Sequence, residues 1–243
     1  MKILLLGGTA DSRSLAAQFR LRPGVCVIES VAGRTKAARG DRVGGFGGAE
    51  GLVTYLRDEG IDVVVDATHP FAERITANAA AACSAVGVRM IRYSRPGWRQ
   101  HPDAERWIWV PDHEQAAKAA AEIPGRVLLT VGRQPVKFYY QVPNVLARVA
   151  EWRGEPIPDG WRVLAKRGPF SMADELELLR SEQITALVSK DSGGEATSAK
   201  LEAAAQLQIP VIMVARPEPP AGVEVVADLG EAISKAVTNP TDL

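Results

Sequence analysis

The sequence predicts an α/β protein of mostly parallel sheets with helices on both faces. Three observations carry that expectation. Short apolar runs recur along the whole chain, segments of helical period lie between many of them, and glycine, proline or small polar residues bound both. Strand, helix and strand in regular succession imply strands that point one way, because parallel neighbours need a crossover and a helix supplies it.

The strand candidates in order are Lys2 to Leu6, Val25 to Ile28, Val63 to Val65, Arg89 to Ile91, Arg106 to Val110, Val127 to Val131, Val163 to Ala165, Ala186 to Val188 and Val211 to Val214. Most are continuous in Val, Ile and Leu rather than alternating, the pattern of a strand buried on both faces. Helical period marks Asp11 to Leu21, Glu50 to Glu59, Glu73 to Val86, Asp112 to Glu122, Met172 to Glu182 and Glu195 to Leu207. The Pro-rich stretch Arg216 to Gly222 reads as a loop leading to a last strand and helix. So many strands exceed one compact sheet, and 243 residues can bury two modest cores. The segment Ser94 to Asp103, rich in Pro, Gly and charge, marks a boundary between domains 1–97 and 98–243.

Lys plus Arg total 29 and Asp plus Glu total 29, so nothing general favours nucleic acid or a membrane surface, and any anion site must be local. Cys26 and Cys83 read as two reduced, buried thiols. His69, His101 and His113 lack paired-ligand spacing, so no metal site is expected. The opening MKILLLGG is too short for a signal peptide and no apolar run nears the ~20 residues that span a bilayer, so the expectation is a cytoplasmic protein. Its oligomeric state is left open, a monomer included.

The first chemical feature is ILLLGGTADS, residues 3–12. A strand runs into Gly7, Gly8, Thr9 and Ala10 and then a helix, so backbone N–H groups can approach a phosphate at the helix's positive end. The spacing is not G-x-G-x-x-G, and a plain tight turn is the alternative. After the second strand stand Arg34 and Lys36, residue types that accommodate a ribose 2′-phosphate; Glu29 is a competing signal for a free ribose diol. NADPH is favoured over NADH. Gly44-Gly45-Phe46-Gly47-Gly48 either admits a cofactor closely or makes a flexible turn. After the third strand, Thr68, His69, Pro70 and Phe71 bring a hydroxyl, an imidazole and a ring to the edge where ligands bind in open sheets.

These blocks taken together resemble the precorrin-6A reductase family of cobalamin biosynthesis. The matching pieces are LLLGGTADSRSLA, SVAGRT, DATHPFA, RPGW, LLTVGR, KRGPFS and SKDSGGEATSAK, in order over nearly the whole chain. The resemblance implies two Rossmann-like halves and an NADPH-dependent reduction of one double bond of a corrin-precursor macrocycle, precorrin-6A to precorrin-6B.

Such a tetrapyrrole carries acetate and propionate carboxylates, so its pocket needs cations and donors beside apolar surface. The second half offers Arg133 after one strand, Lys166 and Arg167 after another, and Ser189, Lys190, Asp191, Gly193 and Gly194 after a third. The last group opens a helix expected near Glu195, with Thr197 and Lys200 in its first turns. Asp11, His69, Ser12 and solvent are the candidate proton sources for the carbon beside the one that takes the hydride. Two other readings are a different NADPH reductase with a tight, small-substrate pocket and a non-enzymatic dinucleotide sensor, whose second half would lack a cationic cleft.

Overall fold

The computed structural model describes residues 1–33, 39–194 and 197–238. The chain forms two compact units, one from residues 1–95 and 217–243 and the other from residues 96–216.

In the first unit, β1 (Lys2–Leu6), α1 (Ala10–Arg20), β2 (Cys26–Val31), β3 (Arg42–Val43), α2 (Gly48–Asp58), β4 (Val63–Asp66), α3 (Glu73–Val86) and β5 (Arg89–Tyr93) follow one another. The chain leaves for the second unit and returns with β12 (Glu224–Val226) and α7 (Leu229–Val237). All six strands are parallel, in the order β3-β2-β1-β4-β5-β12. That order reverses between β1 and β4, which makes their shared C-terminal ends the switch point of a doubly wound sheet.

Successive side chains of a strand point to opposite faces, so a strand covered on both sides must be apolar throughout. Ile3 and Leu5 of β1 pack with Leu15 and Phe19 of α1 and Ile233 of α7. Leu4 and Leu6 pack on the other side with Leu52 and Leu56 of α2 and Ala79 and Ala82 of α3.

The second unit contains β6 (Ile108–Val110), α4 (His113–Ala121), β7 (Arg126–Leu129), β8 (Val145–Val149), β9 (Trp161–Ala165), α5 (Met172–Ser181), β10 (Ile184–Lys190), α6 (Ala199–Gln206) and β11 (Val211–Val214). Its sheet is again parallel, in the order β9-β8-β7-β10-β11-β6, with the reversal between β7 and β10. Leu128, Leu187 and Met213 pack with Leu179 of α5 and Leu201 of α6. The small residues Ala116, Ala117 and Ala120 are the buried face of α4, which lies against β10 and β11.

The expected α/β class and parallel sheets with helices on both faces are what the structure holds. The division into contiguous segments 1–97 and 98–243 differs from the observed units by two residues at the first break and, more consequentially, at the C-terminal end. The segment from 217 belongs with the first unit, because β12 pairs with β5 and α7 packs on the same core. Cys26 is exposed at the start of β2, while Cys83 is buried with its thiol pushed up to about 12 by burial and then by the charge of Asp66. The strand β8 lies in a stretch the apolar pattern passes over, because Arg148 interrupts its run. The helix expected to open near Glu195 begins at Ala199, and Glu195 lies outside the described residues.

One charged pair is buried at the first switch point. Asp66, the last residue of β4, is fully buried and forms a 2.6 Å ion pair with Arg92 of β5. Its Oδ1 accepts bonds from the Thr68 N–H at 3.0 Å and the Thr68 hydroxyl at 2.7 Å, and its Oδ2 accepts from Thr76 Oγ1 at 2.7 Å. Both oxygens of the carboxylate thus meet donors, which is the condition for burying a charge at tolerable cost. Replacing Asp66 by Asn leaves Arg92 as an uncompensated buried cation and should cost about 3–5 kcal/mol in urea unfolding. The double variant Asp66→Asn with Arg92→Met should recover part of that loss; strictly additive losses would show that the pair does not act as a unit.

Candidate functional site

At the first switch point, Gly7 continues β1 and donates its N–H to the Ser30 carbonyl at 2.8 Å. A side chain at Gly7 has no room, since a β-carbon there would stand 2.9 Å from Ser12 Oγ and 3.0 Å from Glu29 Oε1. Gly8 takes φ +113°, a conformation that glycine adopts without strain, and the space where its β-carbon would stand is open. Thr9 caps α1: its Oγ1 accepts from Ser12 N–H at 3.0 Å, while Ser12 Oγ accepts from Thr9 N–H at 3.1 Å. Thr9 Oγ1 also donates to the Ala67 carbonyl at 3.0 Å, tying the loop after β1 to the loop after β4. The leading N–H groups of a helix have no acceptor within it, so this terminus presents donors and a positive dipole end.

The loop after β4 is held by the buried pair below it. Arg92 donates to Thr68 Oγ1 at 3.0 Å and to the His69 carbonyl at 3.4 Å. His69 Nδ1 accepts the Phe71 N–H at 3.2 Å, so in the neutral ring the proton sits on Nε2. Gly7, Gly8, Thr9, Ala10, Thr68, His69, Pro70 and Phe71 therefore share one sheet edge. Asp11 is paired with Arg95 at 2.7 Å. Glu29 is buried, and its Oε1 accepts from Ser12 Oγ at 3.3 Å, so its carboxylate is spent on the start of α1 rather than held out at the strand end. Arg34 and Lys36 lie outside the described residues.

In the second unit the cations are arranged differently from one another. Arg133 pairs with Glu155 and Arg167 with Glu151, the latter at 3.3 Å on the surface. Lys190 ends β10 at the switch point, and a β-carbon added at Gly132 would come to 4.0 Å from its Nζ. Lys200 is buried on α6 and donates to the Thr197 carbonyl at 2.7 Å. Burial lowers the Lys190 amine to about 8 and the Lys200 amine to about 7, with Arg148 adding to the effect on Lys200 and Glu175 opposing it. The Lys166 amine lies 5.8 Å from the centre of the Phe170 ring.

Two of the expected substrate contacts are engaged elsewhere. Asp191 Oδ1 accepts the Trp98 N–H at 2.6 Å and its Oδ2 stands 3.3 Å from Arg216 Nε. Gly193, at φ +64°, lies against Pro96, whose carbonyl would be 2.1 Å from an added β-carbon. The RPGW and SKDSGG blocks thus clamp each other within the second unit. Thr197 precedes α6 rather than sitting in its first turn, and its hydroxyl donates to the carbonyls of Gly193 and Gly194 at 3.1 and 3.0 Å. Ser189 is buried at the end of β10, and Gly194 has φ +87°.

The sequence reading passes over Arg92, Arg148, Glu175 and Arg42. Arg148 of β8 and Glu175 of α5 form a buried bidentate pair, both bonds 2.8 Å, with the guanidinium 4.2 Å from the Phe170 ring. A lone arginine inside an apolar run was the available signal in both VLARV and MIRY. Among the described residues no group of three or more His, Cys, Asp or Glu side chains could hold a metal ion, and no helix is long and apolar enough to cross a membrane.

Comparison with known proteins adds the chemistry. The family model described as Precorrin-6x reductase CbiJ/CobK matches residues 2–236. The chain is 42% identical over 239 residues to the precorrin-6A reductase of Rhodococcus erythropolis, covering 96% of each chain. It is 42% identical over 228 residues to that of Rhodobacter capsulatus, covering 90% of each. The cobalt-precorrin-6A reductase of Priestia megaterium is 30% identical over 237 residues, with 89% of this chain and 91% of the relative covered. A solved structure titled CobK precorrin-6A reductase superposes with a TM-score of 0.83 at 39% identity, covering 97% of this chain and 95% of that one. Two doubly wound parallel sheets and this similarity over nearly the full length place the chain in the CbiJ/CobK precorrin-6x reductase family.

Proposed function

We propose that this chain reduces precorrin-6A to precorrin-6B with NADPH, holding the dinucleotide on the first unit and the macrocycle's carboxylates on the second. The observation that carries the cofactor half is the open turn at Gly8 heading α1 at a switch point, braced by the Thr9–Ala67 bond. NADPH, when bound, supplies the hydride that one carbon of the conjugated macrocycle takes, and the neighbouring carbon gains a proton.

The chain's own residues bind, orient and donate. Gly7, Gly8, Thr9 and Ala10 would form the turn on which the pyrophosphate lies at the positive end of α1, the N–H groups of Gly7, Gly8 and Thr9 being already donated to Ser30 and Ser12. Thr68, His69, Pro70 and Phe71 would line the nicotinamide end, with the His69 Nε2–H as a fixed donor. Arg34 and Lys36 would meet the 2′-phosphate. Of the two candidate acids, His69 is the better placed, because Asp11 is committed to Arg95. In the second unit, Lys190 and Lys200 are the strongest candidates for the substrate's carboxylates. Lys200 is buried where Arg148 and Lys190 both act on its amine and Glu175 is the nearby carboxylate, a setting that an anion would stabilise. Arg133, Lys166 and Arg167 would act at the margin. Identity is higher to relatives named for the metal-free substrate than to those named for the cobalt form, which supports a cobalt-free macrocycle.

Titrating purified protein with NADPH and NADH, then adding precorrin-6A while following nicotinamide absorbance, tests the whole reading. Oxidation of NADPH only when the macrocycle is present is the expected result; binding without turnover would favour a sensor. Arg34→Ala should weaken NADPH by about tenfold or more and leave NADH nearly unchanged, as loss of a charge-assisted bond predicts; equal losses would remove the 2′-phosphate assignment. Lys200→Ala should raise the macrocycle's KM with little effect on NADPH. Because a lysine loses its charge as pH rises through its pKa, the KM of the unmodified enzyme should climb as the pH is raised from about 7 through about 8. A KM flat across that interval would place both amines outside the substrate pocket.

A further inference from the structure

Arg42 stands on β3 opposite Ser30 at the end of β2. Its Nη1 donates to the Gly44 carbonyl at 2.8 Å and to Ser30 Oγ at 3.4 Å, and its Nη2 donates to the Gly45 carbonyl at 2.8 Å. One face of the guanidinium lies 3.8 Å from the centre of the Phe46 ring, and the Tyr55 ring is 5.2 Å away and edge-on to Phe46. Among the described residues no carboxylate pairs with it, although every one of these partners is neutral.

An arginine on a surface loop normally costs little and does little. Arg42 is different in three respects: it is held rigid by carbonyls on two successive residues, it is stacked on a ring, and its charge is unmatched. A guanidinium has five N–H groups, and the bonds above use three of them. The Nε–H and one Nη2–H remain, and a guanidinium can offer its Nε–H and the adjoining Nη2–H side by side to two oxygens of a phosphate. Its place is also specific. In a doubly wound sheet the adenosine ribose lies beyond the end of the second strand, and Arg42 is the residue fixed beside that end.

We infer that Arg42 is a specificity-determining residue that receives the adenosine 2′-phosphate of the cofactor on a preformed fork. This rests on the proposed dinucleotide site of the first unit and adds to it a cation that neither the strand pattern nor the SVAGRT block contains. The carbonyls of Gly44 and Gly45 and the Phe46 ring orient the fork before the ligand arrives, so little side-chain freedom remains to be lost on binding. It also gives Gly44 a reason: the turn that aims two carbonyls at one guanidinium passes through φ +125° there, a conformation that glycine adopts without strain.

The alternative is that Arg42 only shapes the turn. Calorimetric binding of adenosine 2′,5′-bisphosphate and adenosine 5′-monophosphate separates the two, because the ligands differ by the 2′-phosphate alone. Arg42→Met should weaken the bisphosphate about tenfold or more and leave the monophosphate within about twofold. Arg42→Lys, which keeps the charge and the fold but loses the fork, should fall between. Parallel loss of both ligands, or no loss of either, would overturn the inference. If the unmodified protein prefers the bisphosphate and the Arg42 variants do not change that preference, the dinucleotide reading survives and this one fails. If the unmodified protein binds neither nucleotide, both fail together.

Discussion

Both faces of each sheet are covered by helices, and that constraint decides where chemistry can occur. A strand such as β1 sends Ile3 and Leu5 into one core and Leu4 and Leu6 into another, which leaves no side-chain position for a working polar group along its length. Polar residues are therefore pushed to strand ends. Because all the strands run parallel, the ends that carry them collect on a single edge of each sheet, and the reversal of strand order opens a gap between neighbouring loops there. Gly7 to Ala10 and Thr68 to Phe71 meet at one such gap. Gly132 and Lys190 meet at the other.

The exceptions are charged pairs set within the cores. Asp66 with Arg92 and Arg148 with Glu175 each bury a guanidinium against a carboxylate with short bonds, so the cost of desolvation is largely offset by attraction. Their positions matter more than their contribution to stability. Asp66 is the last residue of β4, and through Thr68 and Arg92 it dictates the path of the loop that carries His69. Arg148 lies one residue from the end of β8 and raises the positive potential felt by Lys200. Removing water from such groups makes them rigid, and rigidity at a strand end is what a binding loop needs.

Much of this was legible in the chain. The alternation of apolar runs and helical period gave the class, and the blocks GGTADS and DATHPFA correctly marked two loops on the same edge. The arginines were harder to read. Arg92 follows a run that looks like an ordinary buried strand and Arg148 interrupts a run that is passed over, and an arginine in either place is meaningful only when its partner, distant in sequence, is known. Asp191 and Gly193 show a different limit: in a glycine-rich loop after a strand they read as ligand contacts, and only the folded structure reveals that they also pack against Trp98 and Pro96. The apparent boundary near residue 97 was similarly half of the truth, since a Pro-rich loop at 216 carries the chain back to the first unit.

What the sequence by itself determined was local and periodic. Strand and helix follow from the spacing of apolar residues, the head of α1 from Gly7, Gly8 and the Thr9–Ser12 box, and the family from short blocks kept in order over nearly the whole length. What only the tertiary structure decided was pairing: β12 beside β5, Arg92 under Thr68, Arg42 against the Gly44–Gly45 turn, Lys200 among cations. The physical reason is that periodicity is set by the backbone within a few residues, whereas the worth of a buried charge depends on groups brought beside it by folding.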